Sequence, residues 1–227
     1  MARKHTENEP DLFASPPAKA EPADAEFRSL TAARKAAEDC RRCPLYQNAT
    51  QTVFGEGPPH AALVFVGEQP GDQEDLAGKP FVGPAGKLFD RALSEAGIDR
   101  ARVYVTNAVK HFKFEQRGKR RLHKKPNNAE IEACRWWLDN EFRLIKPQLA
   151  VALGATAARA LTGRDVTISR LRGKRITFRE GVEGFITVHP SFLLRVPDAA
   201  AKEREYERFV ADLKLVARHL PEIGKAA

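Results

Sequence analysis

Short apolar segments rich in β-branched residues alternate with helical segments along most of the chain, and this alternation constrains the fold more than any other feature. The predicted core strands lie at 62–67, 103–107, 149–153 and 184–191, with an auxiliary strand at 172–178. The predicted helices lie at 27–40, 83–97, 128–144 and 155–162, with one more near the C-terminus. Strands that alternate with helices pair in parallel and carry helices on both faces. The pattern predicts an α/β fold: a three-layer α/β/α sandwich around a central, mainly parallel four-stranded sheet.

The two ends of the chain differ in how much they can bury. Residues 1–26 are rich in Pro, Ala and charge, which predicts a disordered tail. Residues 27–227 suffice for one domain, and its last helix carries an apolar stripe formed by Tyr206, Phe209, Leu213, Val216 and Leu220. No apolar run is long enough to span a bilayer, and the N-terminus lacks a secretory-type apolar region. We therefore expect a monomeric cytoplasmic protein that does not associate with membranes.

Polar motifs follow three of the predicted strands. GEQPGD follows the first strand, TNAVKH ends the second, and HPS ends the fourth. In parallel sheets, ligands bind beyond the carboxyl ends of the strands. The three motifs are therefore expected to meet at one edge of the sheet and to form the functional site.

Positive charge is concentrated in one segment. The formal net charge of the chain is +8. Residues 110–125 hold eight Lys or Arg and one acid, Glu115, so this segment alone contributes +7. Such a local stripe favours contact with a phosphate backbone, and the alternative is a solvated loop of no specific function.

The three cysteines suggest a metal centre. Cys40 and Cys43 form a C-x-x-C pair ahead of the first strand, where a thioredoxin-like role is not expected. Cys134 lies on the helix after the basic segment, and His111 can serve as a fourth ligand. A Cys3His set suits either zinc or an iron–sulfur cluster. The alternative is three unrelated buried thiols.

The stretches GEQPGDQEDLAGKPFVGPAG, VTNAVKHFKF and VHPS occur in this order and together resemble the uracil-DNA glycosylase superfamily, most nearly its iron–sulfur branch, family four. The resemblance covers residues 37–220. KRRLH, at residues 119–123, resembles the KRRIH-type loop of the UdgX group, whose members stay covalently attached to the sugar after excising uracil. The resemblance implies an inserted basic loop at about 113–126. It also implies uracil-containing DNA as the partner, with single strands preferred.

The resemblance also implies roles for individual residues. A 4Fe–4S cluster would be ligated by Cys40, Cys43, His111 and Cys134. Family-four enzymes usually have cysteine at the position of His111. The UdgX group, like this chain, departs from that pattern. The implied substrate-binding residues are Gly67, Gln69, Phe81, Asn107, Arg121 and Ser191. The implied catalytic residues are Glu68, Gln69, His123 and His189.

The pocket residues suit a base that has been extruded from the stack. By the resemblance, Phe81 would supply a stacking ring and Asn107 an amide for the uracil edge. His189 would stabilise negative charge on the departing uracil. The alternative for Phe81 is a plain core aromatic, and the alternative for His189 is a structural histidine at a strand end.

The first motif departs from the best-known uracil glycosylases. Where those enzymes have a water-activating Asp, this chain has Gln69, beside Glu68. An amide cannot deprotonate water, so ordinary hydrolysis is not expected. Glu68 would instead stabilise the sugar cation or orient another nucleophile, and Gln69 would help to position the pocket. The alternative is that Glu68 and Gln69 only form the turn before Pro70.

His123 is the candidate for that other nucleophile. Losing uracil leaves an electron-poor anomeric carbon, which a neutral imidazole can capture and an imidazolium cannot. The surrounding cations disfavour the charged ring and are expected to grip phosphates; they are Lys119, Arg120, Arg121, Lys124 and Lys125.

Three hypotheses for the function follow. The first is a uracil-excising enzyme that crosslinks itself to the abasic site through His123. The second is a turnover glycosylase in which His123 only contacts phosphate. The third is a non-catalytic iron–sulfur protein that binds DNA.

Overall fold

The computed structural model describes residues 27–220, and the disordered tail predicted at 1–26 lies outside these residues. The strands are β1 (Leu63–Gly67), β2 (Tyr104–Asn107), β3 (Phe114–Arg117), β4 (Arg120–His123), β5 (Leu149–Leu153), β6 (Arg175–Thr177) and β7 (Glu183–Thr187). The helices are α1 (Leu30–Ala37), α2 (Asp72–Ala77), α3 (Pro84–Glu95), α4 (Asn128–Ile145), α5 (Gly154–Thr162), α6 (Ile168–Leu171), α7 (Pro190–Arg195) and α8 (Ala199–His219). None of the helices between residues 27 and 220 is long and apolar enough to cross a bilayer.

The main sheet has the strand order β2-β1-β5-β7-β6. Its first four strands are parallel, which confirms the predicted fold class. The sheet has five strands rather than four, because the predicted auxiliary segment pairs antiparallel with β7 and becomes an edge strand. The register pairs Gly67 with Asn107, so the carboxyl ends of β1 and β2 lie side by side.

Helices cover both faces of the sheet. Along β1, Val64 and Val66 face one core, while Leu63 and Phe65 face the other. The first core is completed by α1, α4 and α5, and the second by α3, α7 and α8. Strands buried on both faces need continuous apolar sequence, and all five residues of β1 and of β5 are buried.

The long helices lie where they were predicted. The capping box of Asn127 and Glu130 starts α4. The stripe of α8 is confirmed as core, because Tyr206, Phe209, Leu213 and Val216 are buried, and Leu220 packs against the same core. The short helices α2, α6 and α7 were not predicted, because four to six residues are too few to show an apolar period.

The segment predicted as a basic loop is a β-hairpin. Strands β3 and β4 pair antiparallel, from Phe114 opposite His123 to Arg117 opposite Arg120. Gly118, at φ 57°, closes the turn in the left-handed region that glycine tolerates. The charged residues of the hairpin have weak strand propensity, which is why the sequence did not predict strands here. The hairpin forms a two-stranded sheet of its own, so His123 lies outside the main sheet.

Candidate active site

A cleft of about 690 Å³ lies at the carboxyl edge of the main sheet. The three polar motifs meet there as predicted. Of the residues proposed from sequence, the cleft is lined by Glu68, Gln69, Phe81, Asn107, His123, His189 and Ser191. Gly67 lies beneath its floor, whereas Arg121 is not part of the lining.

The floor of the cleft is formed by an amide and an aromatic ring that meet over a glycine. Asn107 is 3% exposed. A Cβ atom at Gly67 would collide with the Asn107 amide oxygen and lie 2.8 Å from Cζ of Phe81. Only glycine therefore allows the amide and the ring to sit this close to the end of β1.

Phe81 is held in an unusual backbone conformation. Its φ of 58° is in the left-handed region, which costs a non-glycine residue free energy. The carboxylate of Glu74 fixes the loop by accepting a hydrogen bond from the Gly83 amide at 2.8 Å. The ring packs against Phe89 with centroids 5.2 Å apart. These contacts thus fix the Phe81 ring in the lining of the cleft.

His189 is fixed in one tautomer by the helix that it begins. Its Nδ1 accepts a hydrogen bond from the Ser191 amide at 3.1 Å, so Nδ1 holds no proton and the neutral ring carries its proton on Nε2. Burial lowers the pKa of His189 to about 4, and the ring is therefore neutral at pH 7. The site thus contains a neutral N–H donor.

Glu68 lies between His123 and a residue that sequence reasoning missed. Its Oε1 is 3.1 Å from His123 Nε2, and its Oε2 accepts a hydrogen bond from Thr156 Oγ1 at 2.5 Å. Burial acts to raise the pKa of Glu68, but the hydrogen bonds from His123 and Thr156 outweigh it and lower that pKa. The carboxylate is therefore ionised against the imidazole. The position of Thr156 just beyond the carboxyl end of β5 was the available signal for its role.

Gln69 holds the hairpin to the main fold. Its Nε2 donates to the carbonyl oxygens of Lys113 and Lys124, at 3.1 and 3.0 Å. Its Oε1 accepts from the Lys113 amide at 3.1 Å. These three bonds use both amide protons and the amide oxygen, and they join the start of β3 to the end of β4. The predicted contact of Gln69 with uracil stays a prediction, because the observed partners of its side chain are in the hairpin.

Arg121 ties the hairpin to α2. Its guanidinium contacts the carboxylates of Asp72 and Asp75, both at 2.6 Å. Asp75 is fully buried and also accepts hydrogen bonds from the Thr50 amide. The arginine that was predicted to contact phosphate is therefore held by acidic groups of the chain itself, and in this structure it fixes the geometry of the hairpin.

Intramolecular ion pairs neutralise much of the basic stripe. Five of its eight cations have carboxylate partners, namely Lys110, Lys113, Arg117, Arg121 and Lys124. The predicted phosphate contact is wrong for Lys110, because this residue is fully buried and its Nζ lies 2.6 Å from Glu141. Among the described residues, Lys119, Arg120 and Lys125 have no ion pair, and Lys125 lines the cleft.

The predicted cluster ligands lie in the core beside α1 and α4. All three thiols are buried, and burial raises the pKa of Cys43 and raises that of Cys134 to about 12. The sulfurs of Cys40 and Cys134 accept hydrogen bonds from the Trp137 indole and the Lys110 amide, each at 3.1 Å. Bonds of this kind stabilise thiolates that ligate a metal.

His111 is the fourth predicted ligand. Burial lowers its pKa, its Nε2 lies 2.9 Å from Thr52 Oγ1, and its Nδ1 is buried without a hydrogen-bond partner. A buried ring nitrogen without a partner fits a metal ligand. Between residues 27 and 220, no three His, Cys, Asp or Glu side chains converge as ligands of a metal ion would. Thiolates and an imidazole are ligands that iron–sulfur clusters use, so the chemistry of the donors fits a cluster.

Comparisons with known proteins agree with this geometry. Residues 54–214 match the uracil DNA glycosylase superfamily. The chain is 42% identical over 157 residues to a type-4 uracil-DNA glycosylase of Thermotoga maritima, covering 69% of this chain and 78% of the relative. It is 38% identical over 167 residues to the type-4 enzyme of Pyrobaculum aerophilum, covering 70% and 82%. It is 34% identical over 178 residues to that of Sulfurisphaera tokodaii, covering 75% and 78%.

Proposed function

The chain belongs to the uracil DNA glycosylase superfamily, and on that premise we propose that it excises uracil from DNA and captures the abasic sugar on His123. The observation that carries the covalent step is the 3.1 Å contact between His123 Nε2 and Glu68 Oε1 at the mouth of the cleft. This contact supports the covalent step, because a nucleophile and its base would then lie beside the groups that would hold uracil.

Recognition of the base uses the floor of the cleft. An extruded uracil would stack on Phe81 and present its edge to the amide of Asn107. Single strands would react faster than duplexes, because they spare the enzyme the unpairing of the base.

Cleavage breaks the bond between C1′ of the sugar and N1 of uracil, and the electron pair leaves with the base. The Nε2–H group of His189 donates a hydrogen bond to the uracil anion as its charge develops. A neutral donor suits this role, because it is in place before the charge appears and needs no proton from solvent.

Capture forms a bond between C1′ and Nε2 of His123. The ring proton on Nε2 passes to Glu68, so the freed electron pair can attack the sugar cation. The departing uracil anion finally takes up that proton. The products are uracil and a neutral imidazole joined to the sugar, and no water is consumed.

A turnover glycosylase is the second candidate function. The similarity to type-4 uracil-DNA glycosylases favours it, and in that case water captures the sugar while His123 only contacts DNA. The 3.1 Å contact of His123 with Glu68 favours the covalent step over this candidate, since the carboxylate that could act as the base for water is engaged by the imidazole.

We also propose that Cys40, Cys43, His111 and Cys134 hold a 4Fe–4S cluster. When bound, it would crosslink the start of the hairpin segment to α4, and so would support the position of His123. Purified protein is expected to contain iron, and Cys134→Ala is expected to lose it. Protein that contains stoichiometric zinc and no iron would contradict the cluster.

A denaturing gel separates the proposed function from its alternatives. The protein is incubated with a labelled uracil-containing single strand, and a thymine-containing strand of the same sequence is the control. A shifted band with uracil alone is the expected result. Strand cleavage after alkali without a shifted band would establish the turnover enzyme, and no reaction would leave a DNA-binding protein.

A further inference from the structure

Thr156 reaches Glu68 from α5, the helix whose first residues, Gly154 and Ala155, line the cleft. It stands in the first turn of α5 and is 2% exposed. A threonine hydroxyl on a helix commonly bonds to a backbone carbonyl four residues earlier. Thr162, at the other end of α5, does this by donating to the Ala158 carbonyl at 2.8 Å. The hydroxyl of Thr156 instead donates to Glu68, 88 residues away along the chain.

The two contacts of Glu68 divide its carboxylate between two partners. Thr156 Oγ1 occupies Oε2 at 2.5 Å, and His123 Nε2 lies 3.1 Å from Oε1. A carboxylate whose second oxygen were unbound could rotate about its last side-chain bond. With Oε2 fixed to a buried helix, Oε1 faces the end of β4. The hydroxyl therefore sets the direction in which Glu68 can accept a proton.

We propose that Thr156 is a positioning residue for the covalent step, acting by aiming Glu68 at His123. This inference rests on the proposed function. The hydroxyl makes no bond to the substrate and takes no proton from it. Its loss lets the carboxylate turn, so that His123 is no longer aligned when the sugar cation forms and water captures part of it. The pocket of Phe81, Asn107 and His189 is untouched by this change.

The test uses purified full-length protein and a uracil-containing single strand. Thr156→Val removes the hydroxyl with little change of shape, Thr156→Ser keeps it, and Thr162→Val is the matched control on the same helix. We expect Thr156→Val to crosslink roughly tenfold to a hundredfold more slowly, the range for a lost hydrogen bond to a charged group. Its DNA affinity should be unchanged, and more of its reacted DNA should appear as free abasic product. Thr156→Ser and Thr162→Val should crosslink at the wild-type rate.

Each other outcome is decisive. Crosslinking by Thr156→Val at the wild-type rate would overturn the inference and leave the proposed function standing. A Thr156→Ser protein as slow as Thr156→Val would assign the effect to packing and would also overturn it. If thermal unfolding shows that the valine variant does not fold, comparison of Thr156→Ser with Thr156→Ala decides the point. A wild type that forms no adduct would overturn the proposed function together with this inference.

Discussion

Two histidines face the same cleft from supports of opposite kinds. His189 caps α7 on the main fold, and its tautomer is fixed by a backbone amide. His123 ends a hairpin outside the main sheet, and its side chain is 48% exposed. A group that stabilises a leaving anion works best when it is fixed in place, whereas a group that forms a bond must approach the sugar. We infer that the main fold supplies excision and the hairpin supplies capture.

The largest expected effect comes from removing the nucleophile. His123→Ala should abolish the denaturant-resistant adduct, because no imidazole remains to bond C1′. Uracil release should continue with free abasic product, since Asn107 and His189 are unchanged. His60→Ala, which alters an exposed histidine outside the cleft lining, is the control and should crosslink normally. Adduct formation by His123→Ala at the normal rate would remove the distinction between the two histidines.

Replacing the fixed histidine should slow both steps together. His189→Asn retains an acceptor for the first turn of α7 but withdraws the ring donor from the cleft. Uracil release and adduct formation should both fall roughly a hundredfold to a thousandfold, as when one donor to a developing anion is lost. Single-turnover assays of free uracil and of the adduct measure the two rates. A loss confined to the adduct would reverse the roles assigned to the two rings.

Acidification should have a smaller effect, because the fixed histidine stays neutral. The pKa of His189 is held at about 4, below its ordinary value, so this ring stays neutral as the pH falls from 8 to about 5. Uracil release by His123→Ala should be flat over that range. A decline in uracil release between pH 8 and 5 would contradict the assignment of His189 as a neutral donor.

The smallest expected effect concerns the grip on DNA. Lys119, Arg120 and Lys125 have no ion pair among the described residues, so replacing all three with Gln should reduce the slope of log K against log salt by about 0.7 per contact on single strands. Glutamine at three exposed cations of α8, Arg204, Lys214 and Arg218, is the control. An equal change in slope for both variants would mean that the hairpin has no special role in binding.

The main sheet and the meeting of the three motifs could be predicted from sequence, because apolar strand runs are local and parallel strands end at one edge. The hairpin could not, since its pairing joins charged residues of weak strand propensity. The stripe of charge was overestimated because the partners of Lys110 and Arg121, Glu141 and Asp75, lie 31 and 46 residues away along the chain.

The candidate site shows the same division. Residues within motifs, such as Asn107 and His189, could be proposed because their chemistry is readable locally. Thr156 was missed although it lies just beyond the carboxyl end of β5, because its partner Glu68 is 88 residues distant and a threonine has no chemical signature of its own. The role of Gln69 as a clamp was equally hidden, since it depends on where the hairpin folds back.

The most direct test of the account is to find the atom that holds the sugar. Wild-type protein is reacted with a uracil-containing strand and denatured, the DNA and protein are digested, and the modified peptide is mapped by mass spectrometry. We predict a sugar, without uracil, attached to the imidazole of His123. A sugar on any other residue, or free abasic DNA beside unmodified protein, would contradict it.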